Sequence, residues 1–138
     1  MQRTVGLVLV LISALVLSMG ISVAGASTKF NSTVEITGNE LVVDFEEGSL
    51  KRFTSVGYRL DAAVLALYCE GQSTGALLFA TDAFAPDAKG RVSDTLTLDL
   101  GPSGTSCEPH YVEYTDVRLT NLTTGHVYRL DSISQGSP

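Results

Sequence analysis

The sequence predicts an all-β domain: a two-sheet antiparallel sandwich, immunoglobulin-like or related, of about seven strands. Three observations carry this. From Val34 onward apolar residues recur mostly with period two, Gly, Pro, Asn and Ser clusters separate the apolar runs, and no convincing long helical pattern intervenes.

The chain opens with a different kind of segment. Arg3 supplies a positive start, Val5 to Leu17 is apolar apart from Gly6 and Ser13, and Ser18 to Ala26 turns small before ending in Ala24-Gly25-Ala26. That layout predicts a signal peptide over 1–26 with cleavage after Ala26. The competing reading is an uncleaved anchor, because Val5 to Ala26 is long enough to span about 30 Å of hydrocarbon. Cleavage removes Arg3 from the nine basic residues and leaves 8 against 15 acidic ones, a mature net charge of −7. Such a balance argues against nucleic acid or an anionic membrane as partner.

The strands follow in order. Residues 27–33 read as a flexible N-terminal segment and 34–131 as the domain. Val34 and Ile36 alternate with Glu35 and Thr37; after the Gly38-Asn39 turn, Leu41, Val43 and Phe45 alternate with Val42, Asp44 and Glu46. Leu60 to Cys69 is apolar on both parities, which predicts a strand buried on both faces; a short helix is the alternative, since Leu60, Val64 and Leu67 also fit a helical stripe. Gly75 to Phe84 is a further apolar stretch, and the turn Ala85 to Gly90 predicts that it forms a hairpin with the next strand. In that strand Val92, Leu96, Leu98 and Leu100 share one face, interrupted by Asp94. Tyr111 to Leu122 carries Val112 and Tyr114 on one parity but Val117 and Leu119 on the other, a phase slip that predicts a β-bulge. His126 to Asp131 is the last expected strand, and 132–138 reads as a flexible tail.

Cys69 and Cys107 are the mature chain's only thiols. In an exported chain they have one intramolecular pairing open to them, so a disulfide is expected. The loop it closes holds 39 residues counting both ends, which destabilises the unfolded chain by about 4 kcal/mol in the chain-entropy picture. Tyr68 and Glu70 offer Cys69 neither base nor cation for thiolate chemistry, and the CxxC pairs of zinc sites are missing.

Gly57-Tyr58, the run into Tyr68-Cys69, Lys89 to Val92 ("KGRV"), Cys107 and Val112 to Thr120 ("VEYTDVRLT") together resemble a broad group of small secreted bacterial β-sandwich proteins with a single disulfide, over about Phe53 to Leu130. The resemblance implies an immunoglobulin-like or related sandwich and carries no assigned activity. The immunoglobulin superfamily proper fits less well, because no tryptophan is present to pack on the bridge and Cys107 lies in a loop.

Candidate chemistry is sparse. Asp82, Asp87 and Asp94 are weak calcium candidates, brought together if the strands on either side of 85–90 form a hairpin. His110 and His126 each begin an expected strand and, with Glu108 or Glu113, would offer a weak zinc or copper set if those strands pair side by side. No G-x-S-x-G elbow is present, and neither a catalytic residue nor a cofactor is expected. Asn31-Ser32-Thr33 and Asn121-Leu122-Thr123 are glycosylation sequons, the second in an expected turn.

Two functional classes remain. One is a secreted or cell-surface, non-catalytic module engaging a protein or polymer partner, with no membrane span after signal cleavage. The other is a structural subunit of an extracellular assembly, in which an edge strand such as Thr33 to Thr37 pairs with a neighbouring copy.

Overall fold

The computed structural model describes residues 29–101 and 107–138, so the expected signal peptide lies outside the described residues. Two antiparallel sheets pack face to face. One has the order β1-β2-β5, from Phe30–Thr37, Glu40–Glu47 and Val92–Asp99; the other has the order β4-β3-β6-β7, from Ser73–Phe84, Val56–Leu67, Tyr111–Asn121 and Val127–Arg129, with β8 (Ile133–Gly136) also on β6. The sandwich is as expected, with eight strands in place of about seven.

Alternation explains the core. Leu41, Val43 and Phe45 of β2 and Leu96 and Leu98 of β5 point inward against Tyr58, Leu60, Ala62, Val64 and Ala66 of β3 and Val112, Tyr114, Val117 and Leu119 of β6, all buried. Burying a Val, Leu or Phe side chain contributes about 1.5–3 kcal/mol, so these inward stripes hold the sheets together. The β1–β2 turn is Gly38-Asn39, with Gly38 at φ +63° as first central residue. That is the glycine position of a type II′ hairpin.

The segment 60–69 is strand through Leu67 and then one turn of 3₁₀ helix at Cys69–Gly71. It is not buried on both faces: the parity of Asp61, Ala63, Leu65 and Leu67 is only half covered, and Leu65 is 39% exposed. The reason is topological, since nothing among the described residues packs over the outer face of this sheet.

The expected hairpin across 85–90 does not form. β4 pairs with β3 and β5 with β2, so the Ala85–Arg91 connection passes from one sheet to the other. Leu50, in the β2–β3 loop, is buried beside it and donates its amide to the Gly90 carbonyl at 2.8 Å. Gly90 sits at φ +79°, and a Cβ there would lie 2.6 Å from the Lys51 amide nitrogen.

The bulge is where the phase slip put it. Asp61 pairs with Arg118 but Ala63 with Thr115, which leaves Ala62 facing both Asp116 and Val117. Asp116 takes φ +53°. Along the other side of β6, β7 and β8 keep a common register and break only opposite this bulge. The two expected loose ends are therefore corrected: residues 30–33 belong to β1, and residues 133–136 of the supposed tail pair with Tyr111 to Tyr114.

Candidate interaction surface

The outer face of the β4 side of the larger sheet carries the most conspicuous exposed apolar group. Leu77 and Phe79 alternate outward on β4 at 85% and 61% exposure, beside Leu65 of β3. Leu77 pairs with Ala63 and Phe79 with Asp61. The Arg59 guanidinium lies 4.2 Å from the Phe79 ring centroid, and its Nε donates to Asp61 Oδ1 at 2.9 Å. A cation over an aromatic face, oriented by a carboxylate, gives the strip a fixed polar border. The apolar run is legible in the sequence, but its uncovered face follows only from the position of β4 at the end of its sheet.

β4 is also the end strand of its sheet. Tyr68 donates its amide to the Gln72 carbonyl at 2.7 Å. The alternation of an antiparallel ladder then turns the even-numbered residues of β4 toward β3 and the odd-numbered ones, Ser73 to Ala83, toward the free edge. Asp82 Oδ1 accepts the Ala83 amide at 2.8 Å, and on the other sheet's edge Asp94 Oδ1 accepts the Thr95 amide at 2.9 Å. Each aspartate thus satisfies an amide on an end strand, one way in which edges are kept from pairing.

That arrangement removes the calcium triad. Asp82 and Asp94 lie on different sheets. Asp87 is committed locally: its Oδ1 accepts the Arg91 amide at 3.0 Å and the Lys89 amide at 2.9 Å. The Arg91 amide is the first cause holding the Asp87 carboxyl below its ordinary value. The histidine pair fails for a similar reason. His110 precedes β6 and His126 lies beyond its far end, beside Asn121, so some 11 residues at about 3.3 Å each separate them. Among the described residues no group of three or more His, Cys, Asp or Glu is placed to hold a metal ion.

The disulfide does form. Cys69 and Cys107 are bridged with Cα atoms 6.0 Å apart, tying the end of β3 to the loop before β6. The bridge therefore joins a strand end to a loop, as the composition around Cys107 predicted.

The two sequons separate sharply. Asn31 is exposed on edge strand β1. Asn121 is fully buried, a correction to its expected place in an accessible turn. Its Oδ1 accepts the amides of Thr123 and Thr124, both at 2.9 Å, and its Nδ2 donates to Glu47 Oε1, also at 2.9 Å. Glu47 is itself 1% exposed and accepts the Tyr58 hydroxyl at 2.6 Å and the Tyr128 hydroxyl. Burial first, and the Glu47 hydrogen bond second, push the Tyr58 hydroxyl well above the ordinary tyrosine range. Phe30 stacks on Tyr128 at 3.7 Å between centroids, closing the cluster toward β1.

This buried group was not foreseen. Parity contained the signal: Glu47 continues the inward positions 41, 43 and 45, and Asn121 continues 117 and 119. Its chemistry is that of a satisfied polar tie between the sheets, with every member hydrogen-bonded. On the outer face of the smaller sheet lies one shallow depression of about 220 Å³, lined by Asn31, Thr33, Asp44, Glu46 and Ser93 among others. Asp44 there accepts the Thr95 hydroxyl at 2.5 Å. Comparison with known proteins returns no matching family model, no matching curated protein and no matching solved structure.

Proposed function

We propose that this chain is a secreted or cell-surface, non-catalytic β-sandwich module that engages a protein partner through the outer face and free edge of β4. One observation carries the reading: Leu77 and Phe79 stand 85% and 61% exposed on the end strand of the larger sheet. Exposed apolar side chains gathered on one strand mark contact surfaces more often than isolated ones do. An end strand adds main-chain donors and acceptors for β-augmentation. The disulfide supports export, because such bonds persist in oxidising compartments. The N-terminal apolar segment supports it independently.

A photo-crosslinking residue in place of Phe79, compared with one in place of Thr33 on β1, tests the reading on the intact native surface. Discrete adducts from position 79 and not from 33 are expected. Absence of any adduct from 79, or equal labelling from both, overturns it.

A further inference from the structure

We infer that the partner on the β4 edge is a second copy of this chain, paired antiparallel about a two-fold axis at Leu78 so that two five-stranded sheets join into one. The inference rests on the reading of β4 as the contact surface and names its occupant.

Four features of β4 single out this occupant. Across its 12 residues, Ser73–Phe84, the strand has no Pro, Lys or Arg and one charge, Asp82. Proline and lysine are the residues that most often blunt an edge, and their absence leaves it open to pairing. Asp82 takes the Ala83 amide and so closes the C-terminal end of the free ladder. With a two-fold at Leu78, Ser73 falls opposite the already bonded Ala83, which leaves 75–81 to pair, with Leu78 at its midpoint.

A two-fold at that midpoint also matches the hydrogen-bonding phase. Residues 75, 77, 79 and 81 turn their amides and carbonyls outward, and the axis sets 77 opposite 79 and 75 opposite 81 of the second copy, which are hydrogen-bonded pairs. Each contact then occurs twice, as an isologous interface requires.

Side-chain chemistry agrees with the register. Leu77 of each copy meets Phe79 of the other on the outer face, and aromatic–aliphatic cross-strand pairs stabilise sheets. Asp82 falls opposite Thr74, an acceptor against a hydroxyl, and no like charges oppose one another. Each Phe79 keeps its own Arg59 on the side away from the axis. The other edges lack this exposed apolar pair: β1 and β5 have eight residues each and no exposed large apolar side chain, and β7 and β8 have only three and four residues.

Sedimentation equilibrium of the full exported protein, with its disulfide formed, and oxidative crosslinking of a mixture of L77C and F79C variants test this. A reversible dimer is expected, weakened more than about tenfold by L77S/F79S, with a covalent dimer forming from the mixture and from neither variant alone. Identical residues lie farther apart than a disulfide reaches in this register. Both positions are largely exposed, so the variants keep the fold, which circular dichroism verifies. A wild-type protein that stays monomeric at its highest soluble concentration overturns the inference, as does crosslinking of L77C with itself. If the purified protein is monomeric while the photoprobe at 79 yields adducts of other masses, the second copy is excluded and the module reading stands; if the probe yields nothing, the module reading falls as well.

Discussion

Asn121, at the end of β6, donates its side-chain amide to the buried carboxyl of Glu47, at the end of β2 in the opposite sheet, across 2.9 Å. This contact joins the two layers by a directional bond within an interface that is otherwise mostly apolar packing. Tyr58 and Tyr128 bond to the same carboxyl, so four side chains from β2, β3, β6 and β7 converge on one point.

Removing the carboxyl strands its donors. Each buried donor left unsatisfied costs about 1–3 kcal/mol. Glu47→Ala is therefore expected to lose about 3 kcal/mol or more in urea unfolding, and Glu47→Gln less, since one carbonyl acceptor remains. A change in Glu47→Ala no larger than that of an exposed control such as Glu35→Ala contradicts the role assigned to the cluster.

The sequons are expected to behave oppositely in a glycosylating host. Folded, exported protein should carry at most one N-glycan, at Asn31, and Asn31→Gln should leave stability unchanged. Asn121→Ala removes the Glu47 contact and both turn acceptors and should destabilise by about 2–3 kcal/mol. Intact mass before and after glycosidase, with thermal melts of both variants, checks this; a glycan on Asn121 in folded protein contradicts it.

Reduction of Cys69–Cys107 lengthens the unfolded chain's reach over a sequence separation of 38 residues. The expected loss is about 4 kcal/mol. For a domain of this size each kcal/mol shifts the melting point by about 4–8 °C. Calorimetry with and without reductant measures it, and an unchanged melting point refutes the entropic role.

Alkaline pH should unfold the protein through its buried tyrosines. Tyr114 is fully buried, and that burial pushes its hydroxyl up to about 12 from an ordinary value of 10.0. Below pH 10 both folded and unfolded chains keep this proton. Between about 10 and 12 the unfolded chain releases it first, so stability falls with rising pH, by on the order of 2 kcal/mol from Tyr114. Tyr58 shifts in the same direction and adds to the fall. Ultraviolet titration should show these two ionising only as the protein unfolds; smooth titration of all five tyrosines near 10 in folded protein is the contrary result.

Gly136 decides whether the C-terminal strand closes. It sits at φ +97°, and a Cβ there would come 2.0 Å from the His110 carbonyl oxygen. Gly136→Ala should release β8, raising hydrogen exchange at 133–136 while β2 and β3 remain protected. Unchanged exchange at β8 argues against its pairing with β6.

Much of the fold was legible because burial on one face of a sheet imposes period two. The inward stripes of β2 and β5, the Gly38-Asn39 turn and the bulge opposite Ala62 all follow from local alternation and turn chemistry. The errors share another cause. Asp82, Asp87 and Asp94 looked like one site because a short polar connection reads as a hairpin, and nothing local distinguishes a turn within a sheet from a crossing between sheets. The C-terminal residues looked loose because β8 takes its stability from β6 and not from its own composition.

By itself, the amino-acid order determined the all-β class, the phases of β2 and β5 and the pairing of the two cysteines, since alternation and thiol count are properties of the chain alone. Only the tertiary structure decided that Glu47 and Asn121 meet in the core, that Asn31 is exposed while Asn121 is not, and that Leu77 and Phe79 remain uncovered. The physical reason is that exposure and polar contact depend on which strand lies beside and above each residue, and that adjacency arises from non-local pairing the local pattern does not encode.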